Sequence, residues 1–142
     1  MISYVSHSPA ETEKFAAELA PRLKSGDVLA FRGGLGAGKT TFVRGLARGL
    51  GSNAEVSSPT FALVHEYASV PTLYHFDLYR IHTFDDLYST GFFDYLDAGG
   101  ILAVEWSENV PDALPPETIA VSIVPTGEES RMITVEGGGQ RF

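Results

Sequence analysis

Cysteine is absent from this chain, and its absence excludes several kinds of chemistry at once. None of the 142 residues is a cysteine. The protein therefore forms no disulfide bond, offers no thiolate to a metal ion and cannot use a cysteine nucleophile.

Basic residues are also scarce. The chain has 10 Lys and Arg residues against 18 Asp and Glu residues, which gives a formal net charge of −8. Proteins that hold nucleic acid by neutralising its phosphates need clustered Lys and Arg. We therefore expect no direct binding of RNA or DNA, and any link to them would depend on a partner protein. The alternative is a local basic patch formed by Lys24, Arg44 and Arg48.

Long hydrophobic runs are missing as well. No apolar run approaches the ~18 residues of a membrane span, so we expect no contact with a membrane. The N-terminus lacks a basic stretch followed by an apolar one, so we expect no signal peptide. The length, with a hydrophobic content of 44%, suits one domain over residues 1–142. Residues 137–142 begin with consecutive glycines and are expected to form a frayed tail.

What the chain does contain is a glycine-rich loop with a defined spacing. Gly33, Gly38, Lys39 and Thr40 match the phosphate-binding P-loop pattern. Glycines let the backbone turn tightly and direct several N–H groups at a phosphate. Lys39 would contact the β and γ phosphates of a nucleotide, and the Thr40 hydroxyl would ligate Mg²⁺. The predicted nucleotide-binding residues of this loop are Gly33, Gly34, Leu35, Gly36, Ala37, Gly38, Lys39, Thr40 and Thr41.

The residues on either side of this loop support the same interpretation. Residues 28–31 form a short apolar run, and apolar residues between Phe42 and Leu50 fall on one helical face. Strand, loop and helix in this order are typical of a P-loop rather than of a glycine-rich turn with an incidental lysine. A dinucleotide-binding fingerprint is excluded, because Lys39 stands where its third glycine belongs. A nucleotide loop in a chain without cysteine points to the cytoplasm.

The remainder of the chain predicts an α/β fold. The predicted strands cover residues 2–5, 28–31, 61–67, 73–79, 101–104, 119–124 and 132–135. A helix should begin at Ser8, where Glu11 follows at capping-box spacing, and residues 84–96 should form a helix interrupted near Gly91. We therefore expect a P-loop NTPase-like three-layer sandwich. Its mostly parallel central sheet would be extended by antiparallel strands, among them a hairpin of 61–67 with 73–79.

A loop of this kind needs a carboxylate opposite the phosphates to hold Mg²⁺ or its waters, and two candidates exist. Glu105 follows residues 101–104, the run most like a strand buried on both faces. Asp77 follows a less uniformly apolar segment. We expect Glu105 to be the main metal carboxylate, with Asp77 as the second candidate. The alternative for Asp77 is a salt bridge to Arg80, three residues further on.

Three further features have weaker functional interpretations. The hydroxyls of residues 57–60, including Thr60, resemble a switch segment that senses a γ-phosphate through Mg²⁺, but a Ser-Pro turn is the alternative. Trp106, beside Glu105, is interpreted as a core residue, with a stacking surface as the alternative. The four histidines have no metal-ligand spacing and are interpreted as structural or exposed. Among them, His75 would face the site only if its strand does.

Four motifs, taken together, resemble those of a known family. They are the loop at 33–41, Ser58-Pro59-Thr60-Phe61, His75-Phe76-Asp77-Leu78-Tyr79-Arg80 and Glu105-Trp106-Ser107-Glu108. Their order and spacing resemble the TsaE (YjeE) family of small bacterial P-loop ATPases, which are required for threonylcarbamoyladenosine modification of tRNA. The resemblance runs from Ile2 to about Val135. The loop alone is not specific to this family, whereas the motif at 75–80 and the Glu105-Trp106 pair are much more so.

The resemblance implies that the protein binds ATP and Mg²⁺ and hydrolyses ATP slowly on its own. It also implies a partner, a heterodimer of the TsaB–TsaD type that contains the threonylcarbamoyl transferase, through which tRNA is reached only indirectly. By motif position, Lys39 would bind phosphate, Thr40 and Glu105 would bind Mg²⁺, and Asp77 would be a functional acid at the site. The candidate metal ligands are therefore Thr40, Glu105 and Asp77.

The resemblance also implies nucleotide contacts outside the four motifs. They would come from the first helix, around Glu11 and Thr12, and from Arg131 in the last strand region.

The expected reaction is hydrolysis of ATP at the carboxyl edge of the sheet. Lys39 would stabilise the transferring phosphoryl group, and Asp77 and Thr60 are the candidates for orienting the attacking water. Arg80 or a partner would supply an arginine finger. A small-molecule kinase and a nucleotide-gated assembly module remain open alternatives. The module would dock through residues 84–95, but most of the aromatics there are expected to pack as in ordinary core helices. A GTPase is disfavoured because the chain has no Asn-Lys-x-Asp motif.

Overall fold

The computed structural model describes residues 1–33, 38–57, 59 and 63–142. The strands are β1 (Ile2–Ser6), β2 (Val28–Arg32), β3 (Val64–Tyr67), β4 (Leu73–Asp77), β5 (Ile101–Glu105), β6 (Ile119–Pro125) and β7 (Arg131–Glu136). The α-helices are α1 (Pro9–Leu19), α2 (Lys39–Gly49), α3 (Phe84–Ser89) and α4 (Phe92–Leu96). Short 3₁₀ turns cover Ala20–Arg22, Ser107–Asn109 and Pro111–Ala113.

The strands form one mixed sheet in the order β1-β7-β6-β2-β5-β4-β3. The four strands at its centre, β6, β2, β5 and β4, run parallel. The remaining strands β1, β7 and β3 pair antiparallel at the two edges. The expected α/β class is therefore confirmed, with the parallel strands forming the centre of the sheet and antiparallel strands at both sides. The β3–β4 hairpin and the break between α3 and α4 at Gly91 also agree with the sequence.

Helices cover both faces of the sheet, because alternate residues of the central strands point to opposite faces. On one face, Leu29 and Phe31 of β2 belong to a core cluster with residues of α1 and α2. On the other face, Val28 of the same strand belongs to a cluster with residues of α3 and α4. All five residues of β5 are buried, as expected for a strand covered on both sides.

Two glycines let α2 lie unusually close to α1. A Cβ added at Gly45 would collide with the Glu13 carbonyl, and one added at Gly49 with the Ala17 carbonyl. The close approach holds α2, and therefore the residues at its N-terminus, in a fixed position against the sheet.

The expectation of a frayed tail at residues 137–142 is wrong for this structure. Arg141 makes a bidentate ion pair with Asp27, at 2.9 Å from Nη1 to Oδ2 and 2.6 Å from Nη2 to Oδ1. Phe142 packs against the core cluster, with the Arg22 guanidinium 4.6 Å from its ring centre. These contacts join residues more than a hundred positions apart, so the local glycine content could not reveal them.

Within the part of the chain that the structure describes, no helix is long and apolar enough to cross a membrane.

Candidate functional site

The chemically distinctive side chains gather where the central parallel strands end. Asp77 ends β4, Glu105 ends β5, and the two are register partners. Phe31 of β2 is the register partner of Glu105 on its other side, so β2 leads into the glycine-rich loop beside them. Carboxyl ends of parallel strands are where open α/β sheets place their ligands.

Helix α2 begins at this edge with features that suit an anion. Its N-cap, Gly38, has φ 103° and ψ 17°, a left-handed conformation that glycine adopts without strain. A glycine cap supplies no side-chain acceptor to the first N–H groups, and the first turn contains no acidic residue. The partial positive charge of the helix N-terminus is thus reinforced by Lys39 instead of being neutralised. This arrangement favours a bound anion such as phosphate.

Lys39 is held by three contacts in the structure. Its Nζ donates to the Gly33 carbonyl at 3.1 Å and lies 3.5 Å from Glu105 Oε1. The same Nζ lies 4.9 Å from the centre of the Trp106 ring, a cation–π contact. Only 7% of the Lys39 side chain is exposed, so its charge depends on these neighbours and on any ligand that replaces them.

Glu105 has a second partner, His75. His75 Nε2 lies 2.6 Å from Glu105 Oε2, and both side chains are buried. Burial alone raises the pKa of Glu105, but the hydrogen bond and charge of His75, with the charge of Lys39, lower that pKa overall. Glu105 is therefore an ionised acceptor, and His75 Nε2–H donates to it.

His75 meets the condition that the sequence set for it, since its strand turns its side chain toward the candidate site. His75 is fully buried in β4 and reaches a candidate metal carboxylate. Within the described residues, its Nδ1 atom is buried without a hydrogen-bond partner. The period of two along a strand was the available signal, since residues 75 and 77 must face the same way. The contact with Glu105 itself depends on the pairing of β4 with β5, which the period of two does not reveal.

Asp77 lies beside this pair at the end of β4 and is 6% exposed. Its Oδ1 accepts a hydrogen bond from the Tyr79 backbone N–H at 2.9 Å. Its own backbone N–H donates to the Leu63 carbonyl at 2.9 Å. Asp77 is thus oriented by the turn that follows it, and its predicted role at the site stays a prediction.

The residues present fit a Mg²⁺ ion that would be held mainly by the phosphates of a bound nucleotide, with few protein side chains. The hydroxyl of Thr40 in the first turn of α2 and the carboxylates of Glu105 and Asp77 are hard oxygen donors of the type Mg²⁺ prefers. Across residues 1–33, 38–57, 59 and 63–142, no three His, Asp or Glu side chains cluster as a complete metal site. Mg²⁺ commonly takes one or two carboxylates, substrate phosphates and waters, so such a cluster is not required.

A cavity of about 330 Å³ adjoins the start of α2. Its lining includes Thr12, Gly38, Thr41 and Arg131, so two of the three outlying residues expected to contact the nucleotide lie beside the loop. The third, Glu11, makes other contacts. Its Oε1 accepts hydrogen bonds from the His7 backbone N–H and the Tyr4 hydroxyl near the start of α1.

Trp106 contacts both the core and the site, the two positions between which the sequence left it open. It packs against the cluster under α3 and α4, and it also lies over Lys39. Its backbone has φ 61° and ψ 31°, a left-handed conformation that is strained for a tryptophan. In this conformation the indole lies over Lys39, immediately after Glu105 in the chain.

The alternative that Lys24, Arg44 and Arg48 form a basic patch can be compared with their surroundings. A larger open cavity, of about 790 Å³, lies beside two of them. Arg44 and Arg48 line it together with Glu55, and Arg48 also pairs with Glu13. Lys24 lies in the turn before β2, where its backbone N–H donates to Asp27. The three basic residues therefore do not form a single uncompensated patch.

Several predicted site residues lie outside the described residues. They are Gly34, Leu35, Gly36 and Ala37 of the glycine-rich loop and Thr60 of the switch-like segment. Their assigned roles stay predictions.

Comparison with known proteins gives consistent results. The family described as threonylcarbamoyl adenosine biosynthesis protein TsaE matches residues 6–133. A Bacillus subtilis (strain 168) relative named tRNA threonylcarbamoyladenosine biosynthesis protein TsaE is 40% identical over 136 residues, covering 95% of this chain and 85% of the relative. A Treponema pallidum (strain Nichols) relative of the same name is 38% identical, covering 92% and 97%.

The fold agrees with these sequence relationships. A crystal structure of Bacillus subtilis YdiB has a TM-score of 0.82 and 36% sequence identity, covering 99% of this chain and 88% of that one. Because the family match spans most of the chain and the relatives align over nearly their full lengths, this chain belongs to the TsaE family.

Proposed function

We propose that this protein is a Mg²⁺-dependent ATPase that supports N6-threonylcarbamoyladenosine modification of tRNA. Its relatives are named for threonylcarbamoyladenosine biosynthesis, which supports the pathway. The observation that carries the ATPase proposal is the position of Lys39, buried at the first residue of α2 and paired with Glu105. A buried lysine at a helix N-terminus is stabilised by an anionic ligand, and a nucleoside triphosphate is the ligand that the loop pattern fits.

On nucleotide binding, Lys39 exchanges its contact with Glu105 for the β and γ phosphates. The backbone N–H groups at the start of α2 face the same phosphates. Glu105 Oε1 would then be available to hold Mg²⁺, while His75 keeps Oε2 in place. Mg²⁺, when bound, neutralises charge on the phosphates and lowers the barrier to phosphoryl transfer.

The chain then has to stabilise the transition state and position water. Lys39 stabilises negative charge that develops on the transferring phosphoryl group. Thr40 and Glu105 are the proposed metal ligands, with Asp77 as a third. Asp77 or Thr60 orients the water that attacks the γ-phosphorus, and inorganic phosphate and ADP are released.

We propose that the isolated chain hydrolyses ATP slowly and that a partner accelerates this hydrolysis. The partner is a heterodimer of the TsaB–TsaD type that carries the transferase. With a formal charge of −8 the chain reaches tRNA through this partner. The absence of cysteine is consistent with work in the cytoplasm.

The test is phosphate release from ATP by the purified chain, with Mg²⁺ or with EDTA, and with or without the heterodimer. We expect slow Mg²⁺-dependent release that the heterodimer accelerates. ATP-dependent assembly with no phosphate release under any condition would instead identify a nucleotide-gated assembly module. Transfer of phosphate to a small-molecule acceptor would identify a kinase.

A further inference from the structure

Three aromatic side chains on α3 and α4 form an exposed surface that the nucleotide site does not use. Phe84 is 56% exposed and Tyr88 is 69% exposed. Both pack on Phe93, with ring centres 5.2 Å and 6.2 Å apart. Exposed apolar groups that cluster in this way commonly mark a binding surface, whereas scattered ones do not. We call Phe84, Tyr88 and Phe93 the aromatic surface.

The aromatic surface continues toward the candidate site. A cavity of about 250 Å³ is lined by Tyr79, Arg80, His82, Trp106 and Asn109, so this end of the groove carries one basic side chain. A second cavity of about 210 Å³ shares His82 and Asn109 with the first and is also lined by Phe84. A groove therefore runs from Trp106, which lies over Lys39, to the aromatic surface.

Tyr79 connects the groove to the site. Its side chain is 54% exposed, and its ring centre is 5.0 Å from that of Trp106. Its backbone N–H donates to Asp77, so a group that docks on Tyr79 touches the turn that orients this carboxylate. Occupancy of the groove can therefore affect both Trp106 and Asp77.

The charges around the aromatic surface are negative. Asp85, Asp86 and Asp94 are all exposed on α3 and α4, and Asp112 lines the second cavity. Residues 84–97 contain no Lys or Arg. This acidic rim repels nucleic acid and anionic lipid, and it also opposes a symmetric dimer through the same face, which would bring like charges together.

We propose that the groove and the aromatic surface dock a protein partner that presents an apolar side chain flanked by Lys or Arg. Aromatic anchors with a charged rim are the usual composition of such interfaces, and the acidic rim selects a basic partner surface. The proposal rests on the proposed function, in which the transferase heterodimer is the partner. Docking there would connect partner binding to the nucleotide site through Tyr79 and Trp106.

The experiment measures binding of the full chain to the purified heterodimer and phosphate release by the same samples. Phe84→Ser and Tyr88→Ser remove the aromatic anchors, and Asp85→Lys combined with Asp86→Lys reverses part of the rim. Val124→Ser is a matched apolar control, because Val124 is 53% exposed on β6. Glu136→Lys, at the exposed end of β7, is the charge control.

We expect the dissociation constant of each surface variant to rise at least about tenfold, with basal phosphate release unchanged. The charge-reversed variant should also lose the salt dependence of wild-type binding. Both controls should bind as the wild-type chain does, and circular dichroism should give the same spectrum for all variants.

Three results would overturn the proposal in distinguishable ways. If the heterodimer binds and stimulates every variant as it does the wild-type chain, the docking surface is wrong and the proposed function stands. If the wild-type chain neither binds the heterodimer nor is stimulated by it, the partner in the proposed function is wrong, and so is the occupant assigned here. Wild-type self-association that Tyr88→Ser abolishes would assign the surface to a second copy, which also contradicts the proposal.

Discussion

His75 Nε2 donates a 2.6 Å hydrogen bond to Glu105 Oε2 in the buried layer between the sheet and α2. The other carboxylate oxygen, Oε1, lies 3.5 Å from Lys39 Nζ. One glutamate therefore joins a strand histidine to the lysine of the glycine-rich loop. His75 positions one oxygen of Glu105 and leaves the other directed at Lys39.

The first prediction tests this positioning role of His75. His75→Leu should raise the Mg²⁺ concentration needed for half-maximal phosphate release by roughly 10–100-fold. Loss of a residue that hydrogen-bonds to a metal ligand typically lowers metal affinity or activity by this factor. His75→Gln, which keeps a donor near the position of Nε2, should recover part of the loss. Binding of ATP in EDTA should be nearly unchanged in both variants. The same Mg²⁺ dependence in all three proteins would show that His75 is only a packing residue.

The second prediction concerns Lys39. Lys39→Ala should weaken ATP binding or lower phosphate release by roughly 10²–10³-fold, because the side chain serves the phosphates. The fold should persist, since Glu105 keeps its hydrogen bond to His75. Lys24→Ala, at an exposed turn, is the matched control and should behave as the wild-type chain does. A folded Lys39→Ala protein with wild-type affinity and turnover would remove the assignment of the loop.

The third prediction ranks the two carboxylates. Glu105→Ala should lose Mg²⁺-dependent hydrolysis more completely than Arg80→Ala does. Asp77→Ala should resemble Glu105→Ala if Asp77 belongs to the site, and Arg80→Ala if it makes only a salt bridge. Phosphate release measured over a Mg²⁺ titration compares the three variants directly. Full activity of Glu105→Ala would transfer the main metal role to Asp77.

The fourth prediction concerns the ion pair between Arg141 and Asp27, which is only partly exposed and bidentate. Arg141→Ala should lower the free energy of unfolding by about 1 kcal/mol, near the upper end for such pairs. Asp27→Ala should cost somewhat more, because Asp27 also accepts from the Lys24 backbone N–H. Urea unfolding of both single variants and the double variant measures the coupling. Fully additive effects would mean that the pair contributes nothing.

The fifth prediction is that the isolated chain does not bind tRNA tightly. A protein that makes six to ten phosphate contacts loses roughly 10³–10⁵ in affinity between about 50 and 200 mM salt. Because Arg48 already pairs with Glu13 and Lys24 lies elsewhere, we expect no measurable complex at the upper salt concentration. RNA should associate only when the heterodimer is present. Filter binding with and without the heterodimer checks this, and a tight, steeply salt-dependent complex with the chain alone would contradict it.

Local chemistry in the sequence determined much of the fold. Gly38 and Lys39 marked the start of α2, because their spacing to Gly33 suits a phosphate and little else. Ser8 marked the start of α1, where its side chain accepts from the Glu11 backbone N–H at 3.2 Å. The aliphatic run before Glu105 indicated a strand buried on both faces, and β5 is such a strand. Each signal acts within a few residues, so it can be read from neighbouring positions alone.

Only the tertiary structure decided which distant residues meet. The contact of His75 with Glu105 depends on the pairing of β4 with β5, and a shift of one residue would turn His75 to the other face of the sheet. Trp106 reaches Lys39 through a left-handed backbone conformation that its residue type disfavours. Arg141 meets Asp27 although local composition indicated a loose tail. Strand register, backbone strain and long-range ion pairs depend on the whole fold, so no local pattern in the sequence encodes them.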